Sequence, residues 1–532
     1  MEDIKEFMNV KHGLDYKKRR KPASGSRSLI VLVLLAVSLY WFFSPAAIAE
    51  EAVRPDQIIL TWTADPGTSQ TITWLAPNNS LARVQYSPAN VYNGNFDSAL
   101  QIYTSGVTFD SINYRYTANL SGLTPDTGYI YRVGNEGAWS DALSFTTAAN
   151  TDNFSFLYLG DTQAGYIPSA YAELGSMLNS VYQSNPQIKF SLLGGDLTDN
   201  DSDAIEWGQF LDAATGVFSR IPMMPTLGNH DGYMYMKFFA LPDNGPEGFE
   251  QEFYSFDYGN AHFVALNSGK NTYATVKQWL CEDLQATTKK WKFVFFHHPA
   301  YPAFNDYKTI DESICANWVP ILEENGVDMV FVGHQHEYMR TYPIYQGQIQ
   351  TNPEGYGIVY VMGSAGSKEY AAGADFDYIA REETGSNYQL ININGDVLTM
   401  TSTKASGELI ESYIIDKSVP SKPVYLLSPQ ENAAYTAGTF EGINTMTVNA
   451  GFSGFKYFPV NITPITSHTG SEAVVFTHLR NNSQISINVA KADFDLVSTA
   501  QAGFNVQAGD VIKVYIVDDL TNALDCNPVI FQ

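Results

Sequence analysis

Five times between Tyr158 and His336 an apolar run stops at a short polar motif. The motifs are Gly160-Asp161-Thr162-Gln163, Gly194-Gly195-Asp196-Leu197-Thr198-Asp199-Asn200, Gly228-Asn229-His230-Asp231, His297-His298-Pro299 and Gly333-His334-Gln335-His336. The preceding runs, such as Phe190 to Leu193 and Met329 to Val332, read as buried strands. Side chains at the carboxyl ends of such strands converge on one crevice, which is where layered α/β sheets bind ligands. Glycine stands before the polar residues in four of the five motifs and lets the backbone bend there. Five of the nine histidines fall in these motifs, while His12, His262, His468 and His478 read as structural or solvated.

The surrounding texture divides the chain into three folded parts. From about Arg54 to Thr147 short runs of period two alternate with turns, as in Gln70-Thr71-Ile72-Thr73-Trp74 and Leu123-Thr124-Pro125-Asp126. That pattern predicts a small all-β sandwich over 54–147. From Phe154 strand runs alternate with helical periodicity at Ala170–Val181, Trp207–Phe218, Thr275–Gln285 and Trp318–Asn325. This predicts a layered α/β domain over 153–417, closed by strands at Val397–Thr403 and Leu409–Ile415. Beyond Pro423 the chain turns β-rich again, and 423–532 reads as an all-β accessory domain.

Ahead of these parts the first 28 residues carry eight Lys/Arg against four acids, followed by the uncharged run Leu29–Phe43 and by Ala47-Ile48-Ala49. Residues 1–49 therefore read as a signal peptide cleaved after Ala49 or as an uncleaved membrane anchor. Either form implies export: secreted, periplasmic or at the cell surface. Only the anchor form implies contact with a membrane. Without the +4 leader the formal charge of −25 moves to near −29, which repels polyphosphate backbones and excludes nucleic acid as a partner. Of three cysteines, Cys281 and Cys315 share a domain and form the expected disulfide, if one exists; Cys526 lies in the last domain.

Carboxylates, imidazoles and an amide oxygen in one crevice suit Fe, Zn or Mn, and a carboxylate such as Asp196 can bridge two cations. His334 and His336 alternate along an extended end, so they can serve one cation each. A metal pair would activate water and supply the local positive field that an anionic substrate needs on so acidic a surface.

The motifs, in this order, resemble the calcineurin-like metallophosphoesterases and, more closely, their purple acid phosphatase branch, whose plant-type members begin with a fibronectin III-like domain. The stretch Tyr129-Ile130-Tyr131-Arg132-Val133-Gly134 and Phe145-Thr146-Thr147 is similar to the closing strands of that domain. The resemblance implies a first metal on Asp161, Asp196 and His336, and a second on Asp196, Asn229, His297 and His334. It implies that His230, paired with Asp231, contacts the phosphate and protonates the leaving group, with His298 as a second donor. Asp199 stands where the purple enzymes have a metal-ligating tyrosine, and Gln163 stands where that branch has glycine. Without that tyrosine no purple colour is expected; Gln163 could ligate the first metal, and Asp199 could do so or orient a neighbour. The implied activity is acid phosphatase-like hydrolysis of phosphate monoesters by metal-activated hydroxide. The alternatives are a phosphodiesterase or nucleotidase using the same metals, with specificity in the loops Gly232–Asn244 and Asp306–Glu312, or a non-catalytic surface binding protein.

Overall fold

A computed structural model describes Val53–Val517 except for residues 78–80, 165–167, 271–272, 305–307, 351–356, 371–375, 419–423, 441–442, 466–470 and 482. The leader and Cys526 lie outside the described residues. Among the described residues no helix is long and apolar enough to cross a membrane.

The chain opens with two antiparallel sheets facing each other. Strands Asp56–Thr61, Ser69–Pro77, Asn113–Ser121 and Val107–Thr108 form one, and strands at 82–88, 100–104, 128–135, 138–139 and 143–146 form the other. Their alternating side chains fill the space between with Leu60, Val84, Tyr131 and a stacked pair, Trp74 on Tyr116 at 5.4 Å.

The central part is built on two further sheets. The first contains β1 (Asn153–Leu159), β2 (Ile188–Leu193), β3 (Met223–Pro225), β11 (Asn387–Asn394), β12 (Val397–Lys404) and β13 (Leu409–Asp416), in spatial order β3-β2-β1-β11-β12-β13. The second contains β4 (Tyr254–Tyr258), β5 (Ala261–Ala265), β6 (Trp291–Phe295), β7 (Met329–Val332), β8 (Glu337–Thr341), β9 (Val359–Met362) and β10 (Ile379–Thr384), in order β4-β5-β6-β7-β9-β8-β10. The neighbours β1–β2–β3 and β5–β6–β7–β9 are parallel, so their carboxyl ends share an edge.

Period-two alternation sorts the second sheet's residues into two cores. Phe263, Phe293, Phe331 and Val361 face the first sheet and pack with Phe156 and Phe190. Val264, Val294, Val330 and Tyr360, on the other face, pack under helices α4 (Tyr273–Ala286), α5 (Lys308–Asn317) and α6 (Val319–Glu324) through Leu280, Leu284, Trp318 and Leu322. The first sheet's outer face carries α1 (Pro168–Ser184) and α2 (Ala204–Phe218), the latter capped by Asp203, whose carboxylate accepts from the Ile205 and Glu206 N–H groups. The four helical segments expected from periodicity all form, extended by a few residues or trimmed at their ends.

Two expectations change. Much of the presumed specificity loops is helical: Gly232–Phe238 is α3, and α5 begins at Lys308. Cys281 and Cys315 are both free thiols. Cys281 accepts from the Gln285 amide one turn along α4, while Cys315 donates to the Ala300 carbonyl, so local partners occupy each sulfur. The last part has a three-stranded and a five-stranded antiparallel sheet around Phe458, Phe476, Phe504 and Ile516.

Candidate metal centre

The five polar motifs meet at the shared carboxyl edge. Asp161 follows β1, Asp196 follows β2, Asn229 and His230 follow β3, His297 and His298 follow β6, and His334 and His336 follow β7. Every one of these except Asn229 and His230 is buried. The two sheets are joined here: the Tyr158 hydroxyl of the first donates to the Val332 carbonyl of the second at 2.6 Å. A methyl group on Gly160 would lie 1.8 Å from the Gly363 carbonyl oxygen, so glycine is required for the sheets to approach this closely.

One subset is very tight. His297 Nε2 lies 3.0 Å from Asn229 Oδ1, 3.1 Å from Asp196 Oδ2 and 3.2 Å from His334 Nδ1, and His334 Nδ1 lies 3.1 Å from Asn229 Oδ1. Two ligands on one cation at about 2.1 Å are roughly 3.0–3.4 Å apart, so these spacings are the edges of a coordination shell. His297 Nδ1 sits 3.0 Å from the Gly194 carbonyl oxygen; an N–H there turns Nε2 toward the cluster. The second subset is looser, with His336 Nε2 3.9 Å from Asp161 Oδ1. The His334 N–H holds Asp161 Oδ2 at 2.7 Å, while the buried Oδ1 has no hydrogen-bond partner among the described residues. A buried carboxylate oxygen left in this way and aimed at an imidazole fits a cation between them.

Burial holds the Asp161 carboxyl above its usual range, against the pull of His297. Burial would also raise Asp196, but the charge and hydrogen bond of His297, together with His230, hold it below the usual range. Against a burial that would lower it, His297 is pushed up to about 9 by Asp196 and Asp161. Burial, reinforced by the charge of His297, lowers His334 to about 2 and His298 to about 3; burial, reinforced by Lys368, lowers His336 to about 3. Asp196, His334 and His336 thus rest in the protonation states that bind metals, while Asp161 and His297 would give up their protons to a bound cation.

The carboxylate of Asp231 does not pair with His230 as expected. It accepts the backbone N–H groups of Asp196, Leu197 and Gly228 at 2.7–2.8 Å. It therefore ties the β2 and β3 ends together, and its oxygens are turned away from the imidazole. His230 is instead oriented by the Asp199 carbonyl, 2.7 Å from Nδ1, and its Nε2 lies 4.0 Å from Asp196 Oδ2 at the half-exposed mouth. His298 is buried, with Nδ1 3.1 Å from Ser268 Oγ and its ring 4.5 Å from that of His334. As a neutral ring it is a hydrogen-bonding wall of the site and a poor acid.

Two neighbours escaped the sequence reading. Glu206, buried on α2, accepts the N–H groups of Asp199 and Asn200 and so shapes the loop that orients His230. Lys368 places Nζ 3.5 Å from Gln163 Oε1 and 3.8 Å from Asp199 Oδ1. Its segment, Gly363-Ser364-Ala365-Gly366-Ser367, follows β9 with the same pattern of an apolar run ending in glycine, which is the signal that could have found it.

Residues 55–147 match the model of the purple acid phosphatase N-terminal domain, and residues 154–338 match that of the calcineurin-like phosphoesterases. The chain is 26% identical over 384 residues to purple acid phosphatase 18 of Arabidopsis thaliana, covering 64% of this chain and 81% of that protein. It is 27% identical over 356 residues to acid phosphatase type 7 of Mus musculus, covering 60% and 79%. In fold it is similar to the purple acid phosphatase PPD1 from yellow lupin seeds (TM-score 0.59, 19% identity, 68% of this chain and 74% of that one).

Proposed function

We propose that this chain, which belongs to the calcineurin-like metallophosphoesterases and carries the N-terminal domain of their purple acid phosphatase branch, hydrolyses phosphate monoesters with a pair of metal ions. The observation that carries the reading is the meeting of Asp161, Asp196, Asn229, His297, His334 and His336 at five strand ends, one subset already spaced as a coordination shell. That the enzyme is a metal-dependent phosphatase follows from its family. The pair of ions and the preference for monoesters are inferred from the donor set.

Asp161, Asp196 and His336 would hold one ion, and Asp196, Asn229, His297 and His334 the other. When bound, such a pair withdraws charge from phosphoryl oxygens and makes water acidic enough to attack at neutral pH. The chain's own residues do the rest. The Asp231 clamp fixes the backbone at Asp196, so the shared carboxylate keeps its aim. The Asp199 carbonyl takes an N–H from His230 Nδ1 and leaves Nε2 facing the mouth, where it can hold a proton for the departing ester oxygen. Ser268 fixes the His298 ring against His334. Fe, Zn and Mn all suit this donor set.

The substrate is a small phosphorylated molecule, because the acidic surface disfavours a nucleic-acid backbone. The basic leader and its apolar run support export, as a cleaved signal or an anchor.

A panel of monoesters and diesters with Mn, Zn or Fe tests the reading. Monoesters are expected to turn over faster than diesters. Faster diester hydrolysis would make the protein a phosphodiesterase, and no turnover with both sites loaded would make it a binding protein. His230→Ala is expected to lower kcat by about 10²–10⁴-fold with metal content unchanged, as loss of a general acid does. Loss of metal in that variant would refute the assigned role.

A further inference from the structure

We propose that Lys368 is a specificity-determining residue that binds the phosphoryl oxygens at the Asp161–His336 end of the site and favours the doubly charged monoester over the singly charged diester. The inference rests on the phosphoesterase reading above.

Its position is set by the backbone. Asp161 and Ser364 form a parallel bridge, the Ala365 and Gly366 N–H groups donate to the Asp161 carbonyl at 3.0 and 2.6 Å, and the Ser367 hydroxyl reaches the Ala164 carbonyl. A methyl group on Gly366 would lie 2.1 Å from the Gln163 carbonyl oxygen, so the segment lies flush on the motif that bears Asp161. Lys368 thus leaves the backbone beside the cluster, two residues beyond Gly366.

The contacts of the ammonium are long. Nζ is 3.5 Å from Gln163 Oε1 and 3.8 Å from Asp199 Oδ1, and the Tyr370 ring, itself 4.6 Å from the His336 ring, lies 5.7 Å away. An ammonium has three donors, and the two acceptors among the described residues are distant enough for it to turn to a better one. A phosphoryl oxygen offers a short charge-assisted bond in place of a long one. The side chain is 27% exposed, so solvent and a small ligand can reach it. In a protein with 31 basic and 56 acidic residues, a fixed cation at the site mouth is what an anionic substrate needs.

The test is calorimetric titration of inorganic phosphate into the metal-loaded protein, which needs no turnover, with metal content and melting temperature measured on the same samples. Lys368→Ala is expected to weaken phosphate binding about ten- to a hundredfold, as loss of one charge-assisted hydrogen bond does, at unchanged metal content. Lys368→Arg is expected to keep most of the affinity. With esters, Lys368→Ala is expected to raise KM for monoesters far more than for diesters and to leave kcat within a few-fold. Phosphate affinity within twofold of the wild type would overturn the inference, and so would loss of metal in both variants, which would make Lys368 a counter-ion of the metal centre. If the wild-type protein turns over no ester while Lys368→Ala still loses phosphate, the catalytic reading and the ester preference both fail, and phosphate binding by Lys368 alone stands.

Discussion

Asp196, His334 and His336 all have positive φ, at 50°, 80° and 49°. Side chains with a Cβ rarely adopt this region, and each such residue costs on the order of 1–3 kcal/mol. Three strained backbones in one cluster are held by their surroundings, and the Asp231 clamp holds that of Asp196. Asp231→Ala would leave three buried N–H groups without their acceptor, at about 1–3 kcal/mol each when unsatisfied. The expected outcome is a melting temperature lower by roughly 4–10 °C and weaker metal binding, read by thermal melts and elemental analysis. His230→Ala, by contrast, should leave both quantities unchanged. The identities of the converging residues were legible in the sequence because each motif ends a strand run. The partner of Asp231 was not legible. Adjacency in sequence suggested His230, but at a strand end that bends, neighbouring side chains diverge, and the carboxylate met backbone N–H groups from 34 and 35 residues away.

At the level of elements, the site exists because parallel strands share a carboxyl edge, and a sixth strand end, after β9, completes it with Lys368. Another cluster lies away from that edge. His262 on β5 is clamped by its cross-strand partner Asp257 on β4 (Nδ1 to Oδ1, 2.7 Å) and by Asp283 on α4 (Nε2 to Oδ2, 2.8 Å). Lys289 Nζ lies 3.7 Å from Asp257, and the Ser255 hydroxyl donates to Asp283 at 2.6 Å. These groups line a cleft of about 850 Å³ whose walls also include Thr63–Thr68 of the first sandwich and none of the metal-centre residues. Burial would lower His262, but hydrogen bonds and charge from Asp257 and Asp283 push it up to about 9, from an ordinary 6.5. A raised pKa means that the imidazolium stabilises the fold fully below about pH 6.5 and loses that contribution as pH rises through about 9. Thermal melts across that window are expected to show falling stability in the wild type and a flatter profile in His262→Gln; equal slopes would exclude the clamp as the cause. In the sequence His262 reads as structural or solvated, and its partner Asp283 is set only by the docking of α4.

For the molecule as a whole, the first sandwich is built into the central part. Trp62 packs on Phe190 and Tyr258, the Tyr131 hydroxyl donates to the Ser219 carbonyl, and buried Arg115 donates to the Phe238 carbonyl. Cations that bind only the folded chain should stabilise this assembly. With metal at roughly a hundred times Kd the gain is about 2.7 kcal/mol per site, so added Mn or Zn is expected to raise the melting temperature and chelation to lower it. Asp196→Asn is expected to abolish most of that response, and a full response in the variant would refute the shared carboxylate.

The sequence alone determined the architecture of β-sandwich, layered α/β and terminal β-rich parts, because hydrophobic periods of 2 and 3.6 are local properties of a chain. It also determined which donors meet, because ligands at the ends of parallel strands have only one edge to share. Three features were decided only by the tertiary structure: that Asp231 clamps backbone, that Cys281 and Cys315 stay apart, and that Lys368 reaches Gln163 and Asp199. Each depends on which surface of one element docks against another, and that choice is made by packing between residues far apart in the chain.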